Sequence, residues 1–306
     1  MGKYITKRLI YMVISIWLIA TVTFFLMHAI PGDPFTDSKK LPPEIMENLK
    51  RKYNLDKPLI VQYFLYLKNL AKGDLGISLR YKNRTVNGIL FSAFPNSAKL
   101  GLAAVGVGVT LGLTLGIIAA LNNKGFFDYF AILVAVIGVS VPSFVLAGMF
   151  QYWFGVQLEI LPVAGWGKLK FMILPVFALG FRLIAFQARL MRTNMIEIMG
   201  QDYIKTAKAK GLSKPAIVVK HVIRNAILPV ITVLGPLTAA IMTGSFVIES
   251  IFGIPGMGKY FVDAINQRDY TLILGTTLFY ATLLIMMVFV VDILYGIVDP
   301  RIRIDE

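Results

Sequence analysis

The chain contains no cysteine, only two histidines, and few acids: 17 Asp and Glu stand against 31 Lys and Arg in 306 residues. The missing thiols exclude disulfides, thiolate zinc sites and cysteine nucleophiles. The two histidines, His28 and His221, fall on opposite sides of the membrane in the topology derived below, so a histidine-based metal site would need other ligands. Charge of either sign is missing from long stretches, and runs of more than twenty uncharged residues are foreign to soluble core helices.

Those runs dominate the chain, which is 57% hydrophobic with a mean hydropathy of +0.70. A spanning helix needs roughly 20 mainly apolar residues. Six windows qualify, at 9–30, 100–121, 129–154, 171–190, 227–248 and 271–291. Six spans put both termini on one side. The first follows Lys3, Lys7 and Arg8 as a secretory signal peptide would, but its apolar core is about twice the usual 7 to 15 residues, and it is expected to stay as an anchor.

Orientation follows from Lys and Arg in the short loops and tails. One side carries Lys3, Lys7, Arg8, Lys124, seven bases between Arg192 and Arg224, and Arg301 with Arg303. The other has Lys168, Lys170, Lys259 and Arg268, matched by Glu159, Glu249, Asp263 and Asp269. The first side, and with it both termini, is expected to be cytoplasmic. Topology and the bases of one long external loop account for much of the +14 net charge, so no nucleic-acid partner is expected.

Residues 31–99 are too polar for hydrocarbon. They open on the turn sequence Pro31-Gly32-Asp33-Pro34, and two helices are expected to follow. One runs from Pro43 to about Tyr53. The other is started by Asp56 and Pro58 and stopped by Gly73, with Leu59, Tyr63, Leu67 and Leu70 forming an apolar face. Within the spans, Gly101, Gly108, Gly112 and Gly116 suit close helix approach. Pro142, Pro175, Pro229 and Pro236 each remove a backbone donor near or within a span.

Gly253-Ile254-Pro255-Gly256-Met257-Gly258-Lys259 fits the phosphate-loop pattern, but Tyr260 stands where a Ser or Thr should hold magnesium, and a membrane span precedes it instead of a strand. No ATP site is expected in this chain. Arg182 is the only base near the middle of a span, where a charge is costly. Three readings are open for it: meeting a peptide carboxylate, pairing with an acid on a second membrane subunit, or snorkelling from a shifted span.

The polar stretch between the fourth and fifth spans reads as two short helices. Asp202 caps the first, Gly211 makes the turn, and Ser213 caps the second ahead of Pro215. Lys205-Thr206-Ala207-Lys208-Ala209-Lys210-Gly211 resembles the EAA motif of the membrane subunits of bacterial ABC importers, with Lys205 in place of the Glu and Thr206 in place of the first Ala. Tyr203 to Gly211 with His221, Arg224, Asn225, Ala226 and Pro229 is closer to the peptide, dipeptide and nickel permease branch. Four further elements resemble that branch: Gly73-Asp74-Leu75-Gly76-Ile77-Ser78; Glu249 and Phe252 with Pro255-Gly256-Met257-Gly258; Asp263-Ala264-Ile265 with Arg268-Asp269-Tyr270; and Asp299-Pro300-Arg301-Ile302-Arg303.

The resemblance implies an all-α permease of six transmembrane helices in a bacterial cytoplasmic membrane. Residues 1–30 would form the cytoplasmic N-terminus and first span, 31–99 an external helical cap, 100–298 a five-helix core with a coupling helix at about 203–212, and 299–306 a cytoplasmic tail. Tyr203, Lys205, Thr206, Ala207, Lys208, Lys210 and Gly211 would couple to an ATPase. Arg182, Glu249, Phe252, Pro255, Gly256 and Gly258 would line a pathway or gate. Implied partners are a second, homologous permease, two ATPase subunits that bind ATP and Mg, and an extracytoplasmic substrate-binding protein. The implied cargo is a di- or oligopeptide, with nickel or another small solute as the alternative. An ion-coupled secondary transporter would show paired inverted repeats and midplane acids, and neither is visible.

Overall fold

The computed structural model describes residues 2–29 and 43–298. The expected turn at Pro31–Pro34 and the tail with Asp299–Arg303 lie outside the described residues. Among the described residues the fold is helical, and its single β-bridge pairs Ile77 with Thr85. Four helices are long and apolar enough to cross a membrane, or up to six if each of two bent pairs is one span. They are α1 (Gly2–Ala29), α4 (Val86–Leu121), α7 (Leu169–Met199) and α14 (Tyr270–Val298).

Two of the expected spans are bent pairs. The window at 129–154 is not one rod: α5 (Phe126–Ser140) stops, and α6 (Ser143–Phe150) with its π-helical continuation Gln151–Gln157 leaves at 107°. Pro142 causes the break, since it has no N–H to donate and its ring excludes a helical predecessor. Val141 accordingly holds an extended conformation (ψ 122°). In the window at 227–248, helix runs from Lys214 to Ala226 (α9, a π-helical stretch and α10), bends by 44° ahead of Pro229, and continues as α11 (Leu228–Met242). It ends before Ile248 because Gly244 takes a left-handed conformation (φ 95°), and α12 (Phe246–Phe252) then sets off anew.

The chain divides into two compact units, residues 1–93 with 259–285 and residues 94–258 with 286–306. In the first unit, α2 (Pro43–Lys52) starts at its proline, and α3 (Leu59–Ala71) lies between Pro58 and Gly73. α3 meets α1 through Tyr63, whose hydroxyl lies 2.7 Å from Thr21 Oγ and whose ring packs on Phe24 and Phe25. Gln62 lies 3.2 Å from His28 Nε2. Leu59, expected on the apolar face, is exposed.

In the second unit α7 is the common support. α4 lies against it through its small residues: a Cβ on Gly108 would come within 2.9 Å of Leu183 Cβ, one on Gly112 within 2.7 Å of Gln187 Cβ, and one on Gly116 within 2.6 Å of the Ala188 carbonyl. Backbones this close gain van der Waals contact that larger side chains would prevent. Gly112→Leu therefore overpacks the α4–α7 contact at a cost of about 1–3 kcal/mol or more. Gly106 faces open space on the same helix. Thermal unfolding of the detergent-solubilised chain is expected to show Gly112→Leu melting well below Gly106→Leu. Equal melting temperatures would contradict this packing.

Candidate functional site

The segment that follows α7 is built to stand still. α8 (Asp202–Ala209) has Gln201 at its N-cap, and Asp202 is its first residue, not the cap expected from sequence. An acid there still complements the positive end of the helix, and its carboxylate takes Lys205 Nζ at 2.8 Å on the surface. Ile204 and Ala207 turn inward into a cluster with Met191 and Met195 of α7 and with Ile217, Val222, Ala226 and Val230. The small side chain of Ala207 sets how closely α8 approaches its own domain.

The remaining residues of this group share the open face: Tyr203, Lys205, Thr206, Lys208, Lys210 and Gly211 are all exposed. Gly211 turns the chain in a left-handed conformation (φ 77°), and a Cβ there would meet nothing within 4 Å. Ser213 is the N-cap of α9 (Lys214–Ile217), with Pro215 in its first turn. The result is a rigid apolar mount under a cationic, solvent-facing ridge.

A second group gathers around Glu249, which is buried on α12. Its carboxylate accepts the Ser97 hydroxyl at 2.6 Å and the Gly258 amide at 2.8 Å, and Ser97 Oγ also accepts the Met257 amide at 2.7 Å. Burial pushes the Glu249 carboxyl above the ordinary carboxylate range, and the bonds from Ser97 and Gly258 pull it back. Gly256 and Gly258 leave no room for a side chain: a Cβ on either would run into the Glu249 carboxylate. Asn96 Nδ2 donates to the Pro255 carbonyl at 2.9 Å, and Trp166 Nε1 donates to Asn96 Oδ1 at 2.9 Å.

The glycine-rich loop thus wraps a protein carboxylate, with the Met257 amide donated to Ser97 and the Gly258 amide to Glu249. Phe252 is buried in a core cluster with Leu100, Ala104, Leu174 and Ala178. Glu249 and Phe252 of α12 and Pro255, Gly256 and Gly258 of the loop that follows lie near one another. Arg182 does not join them; it is exposed on α7. Arg192 pairs with Asp128, donating from Nη2 at 2.8 Å.

Ser97, Asn96 and Trp166 carry this network without any sequence signal to mark them. The same holds in the first unit, where the Gly73–Ser78 and Arg268–Tyr270 elements meet. The Ser78 hydroxyl donates to the Asp269 carboxylate, which also accepts the Arg80 amide at 3.2 Å and caps α14 through the Leu272 amide at 3.0 Å. Tyr81 donates to Asp263 at 2.9 Å, and burial together with that carboxylate pushes the phenol upward. Among the described residues no three His, Asp or Glu side chains converge as a metal site.

Glu249→Ala would leave the Gly258 amide and the Ser97 hydroxyl without their acceptor, at roughly 2–4 kcal/mol for two buried donors. The expected outcome is a chain whose 253–258 loop is cut early by protease. A loop as resistant as in the unsubstituted chain would show the carboxylate to be dispensable.

Residues 112–304 match the family described as binding-protein-dependent transport system inner membrane component, and residues 1–99 match the N-terminal part of the same kind of component. The chain is 50% identical to the dipeptide transport system permease protein DppB of Bacillus subtilis over 306 residues, 100% of this chain and 99% of that one. It is 48% identical to the oligopeptide transport system permease protein OppB of Haemophilus influenzae and 45% identical to OppB of Escherichia coli, each over 99% of this chain and 100% of the relative. A solved structure, described as an amino acid ABC transporter with histidines, superposes with a TM-score of 0.50 at 17% identity, covering 71% of this chain and 95% of that one.

Proposed function

We infer the function of this chain from the family it belongs to, the binding-protein-dependent transport system inner membrane components: it is a multi-pass permease subunit of an ABC importer for peptides. The family implies a substrate-binding protein and ATPase partners. Full-length relatives named for dipeptides and oligopeptides favour peptide cargo over nickel.

Each bent pair counts as one span, giving six, with both termini in the cytoplasm and α2 and α3 in an external cap. A second, homologous permease supplies the other half of the pathway. ATP and Mg bind to the ATPase subunits, and this chain contributes movement instead of catalysis. Tyr203, Lys205, Thr206, Lys208, Lys210 and Gly211 meet the ATPase, and Ala207 with Ile204 fixes that ridge to the spans.

The observation that carries this reading is the two-sided character of α8. A helix pinned through Ile204 and Ala207 to Met191 and Met195 passes any push on its open face straight to α7. Energy then enters through different contacts in two conformations. At the opposite end, the loop tied by Glu249 serves as the external gate, with Phe252, Pro255, Gly256 and Gly258 as its body.

Gly211→Val tests the coupling ridge, because a β-branched residue is strained in the left-handed region while no neighbour obstructs it. The complex is expected to assemble, with peptide-stimulated ATP hydrolysis and uptake each reduced at least tenfold in proteoliposomes. Unchanged uptake would remove Gly211 from the coupling role. Lys259→Ala is expected to leave ATP hydrolysis by the assembled complex within about twofold of normal. Abolished nucleotide binding would instead place a phosphate site in this chain.

A further inference from the structure

Arg182 and Arg189 lie on the long helix α7. Both are exposed on α7, and neither guanidinium has a hydrogen bond or ion pair among the described residues. Phe186 lies between them and Thr193 beyond, both also exposed. At about 100° per residue the four side chains share an arc of roughly 60°, a stripe about 16 Å long. Arg182 lies about 20 Å from the Leu169 end of a 31-residue helix, near its middle. A charge at that depth faces a water-filled cavity or a partner, not hydrocarbon.

The stripe is open at one end and covered at the other. Pro175 and Ala178 continue its line toward Leu169, and both are buried. Ala178 packs in the cluster that contains Ile248 and Phe252 of α12 and Ile254, the loop tied by Glu249. Toward Met199 the stripe adjoins a groove of about 520 Å³ whose lining includes Ala135, Val139 and Ser140 of α5 with Arg189, Arg192 and Thr193. Arg192 is engaged by Asp128, so Arg189 is the available cation of that groove.

We propose that this face of α7 lines the aqueous pathway below the external gate, and that Arg182 and Arg189 hold the terminal carboxylate of a peptide in turn as it passes. The proposal deepens the peptide-importer reading and rests on it. Peptides of different sequence share one terminal carboxylate, and a guanidinium pairs with it bidentately. Solvated pairs of this kind are weak, which suits a group that must be handed on and not trapped.

The chain has no cysteine, so an introduced one reports alone within it. Phe186→Cys keeps both arginines. In the assembled complex in nanodiscs, the anionic reagent 2-sulfonatoethyl methanethiosulfonate is expected to label it at least tenfold faster than Leu18→Cys, a residue exposed on the apolar α1. The anionic reagent is expected to outpace its trimethylammonium counterpart, a preference lost when Arg182→Ala and Arg189→Ala are added. A saturating tripeptide should slow labelling at least threefold, whereas its C-terminal amide should not.

Labelling of Phe186→Cys as slow as that of Leu18→Cys would mean that lipid or protein covers the face, and would overturn the proposal. So would an anion preference that survives loss of both arginines, or equal protection by the amidated peptide. Uptake of the same tripeptide should fall at least fivefold in Arg182→Gln and recover only in part in Arg182→Lys, which keeps the charge and loses the bidentate fork; equal loss in both would point to a structural role. Peptide-stimulated ATP hydrolysis by the unsubstituted complex tests the importer reading separately, since it can fail while the labelling pattern stands.

Discussion

Hydrocarbon offers no partner to a backbone amide or carbonyl, so a chain this apolar must satisfy its own backbone wherever a helix is interrupted. Each interruption has a local solution. After α5 the Val141 amide still reaches the Ile137 carbonyl at 2.9 Å, and the Pro142 carbonyl accepts Val145 and Leu146 at 3.0 and 3.2 Å. Near Pro229, the Ala226 carbonyl is taken by Asn194 Nδ2 of α7 at 3.2 Å. Where α11 ends, the chain turns into α12 and is tied by the Glu249 carboxylate. The same constraint that forces helix through most of the chain makes its few breaks into specific, side-chain-dependent structures.

α7 collects the consequences within its unit. The small residues of α4 seat on it, α8 hangs from its Met191 and Met195, and Ala178 meets the cluster beneath the Glu249 loop. Both ends of the proposed transport cycle therefore bear on one rod. A displacement at the basic ridge has little apolar slack to dissipate it, since the contacts along α7 are backbone-close. In the proposed mechanism this converts a push at α8 into altered cover over the arginine face.

Several features were legible because they depend on neighbours in sequence. α2 starts at Pro43, α3 starts after Pro58 and stops ahead of Gly73, and the turn at Gly211 between α8 and α9 follows from a residue suited to positive φ. The glycine spacing of α4 announced a close contact, though not that α7 would fill it. In the window at 129–154 Pro142 marks a missing donor but not a turn of 107°, because apolarity is continuous across Val141 and Pro142; hydropathy reports solvent preference and is blind to direction. Asp202 has the chemistry of a cap, whereas Gln201 holds the extended backbone that a cap position requires.

What the sequence determined by itself is the solvent of the chain, its approximate spans, and the basic helix–turn–helix that resembles a coupling segment, because apolar run length, charge placement and turn chemistry are written in consecutive residues. Only the tertiary structure decided that Glu249 is a tie and not a free carboxylate, that Asp269 joins two distant motifs, and that Ala207 faces inward. Glu249 finds Ser97 across 152 positions, and Asp269 finds Ser78 across 191. The role of a buried carboxylate is set by which donors converge on it, and that convergence exists only once the helices have packed.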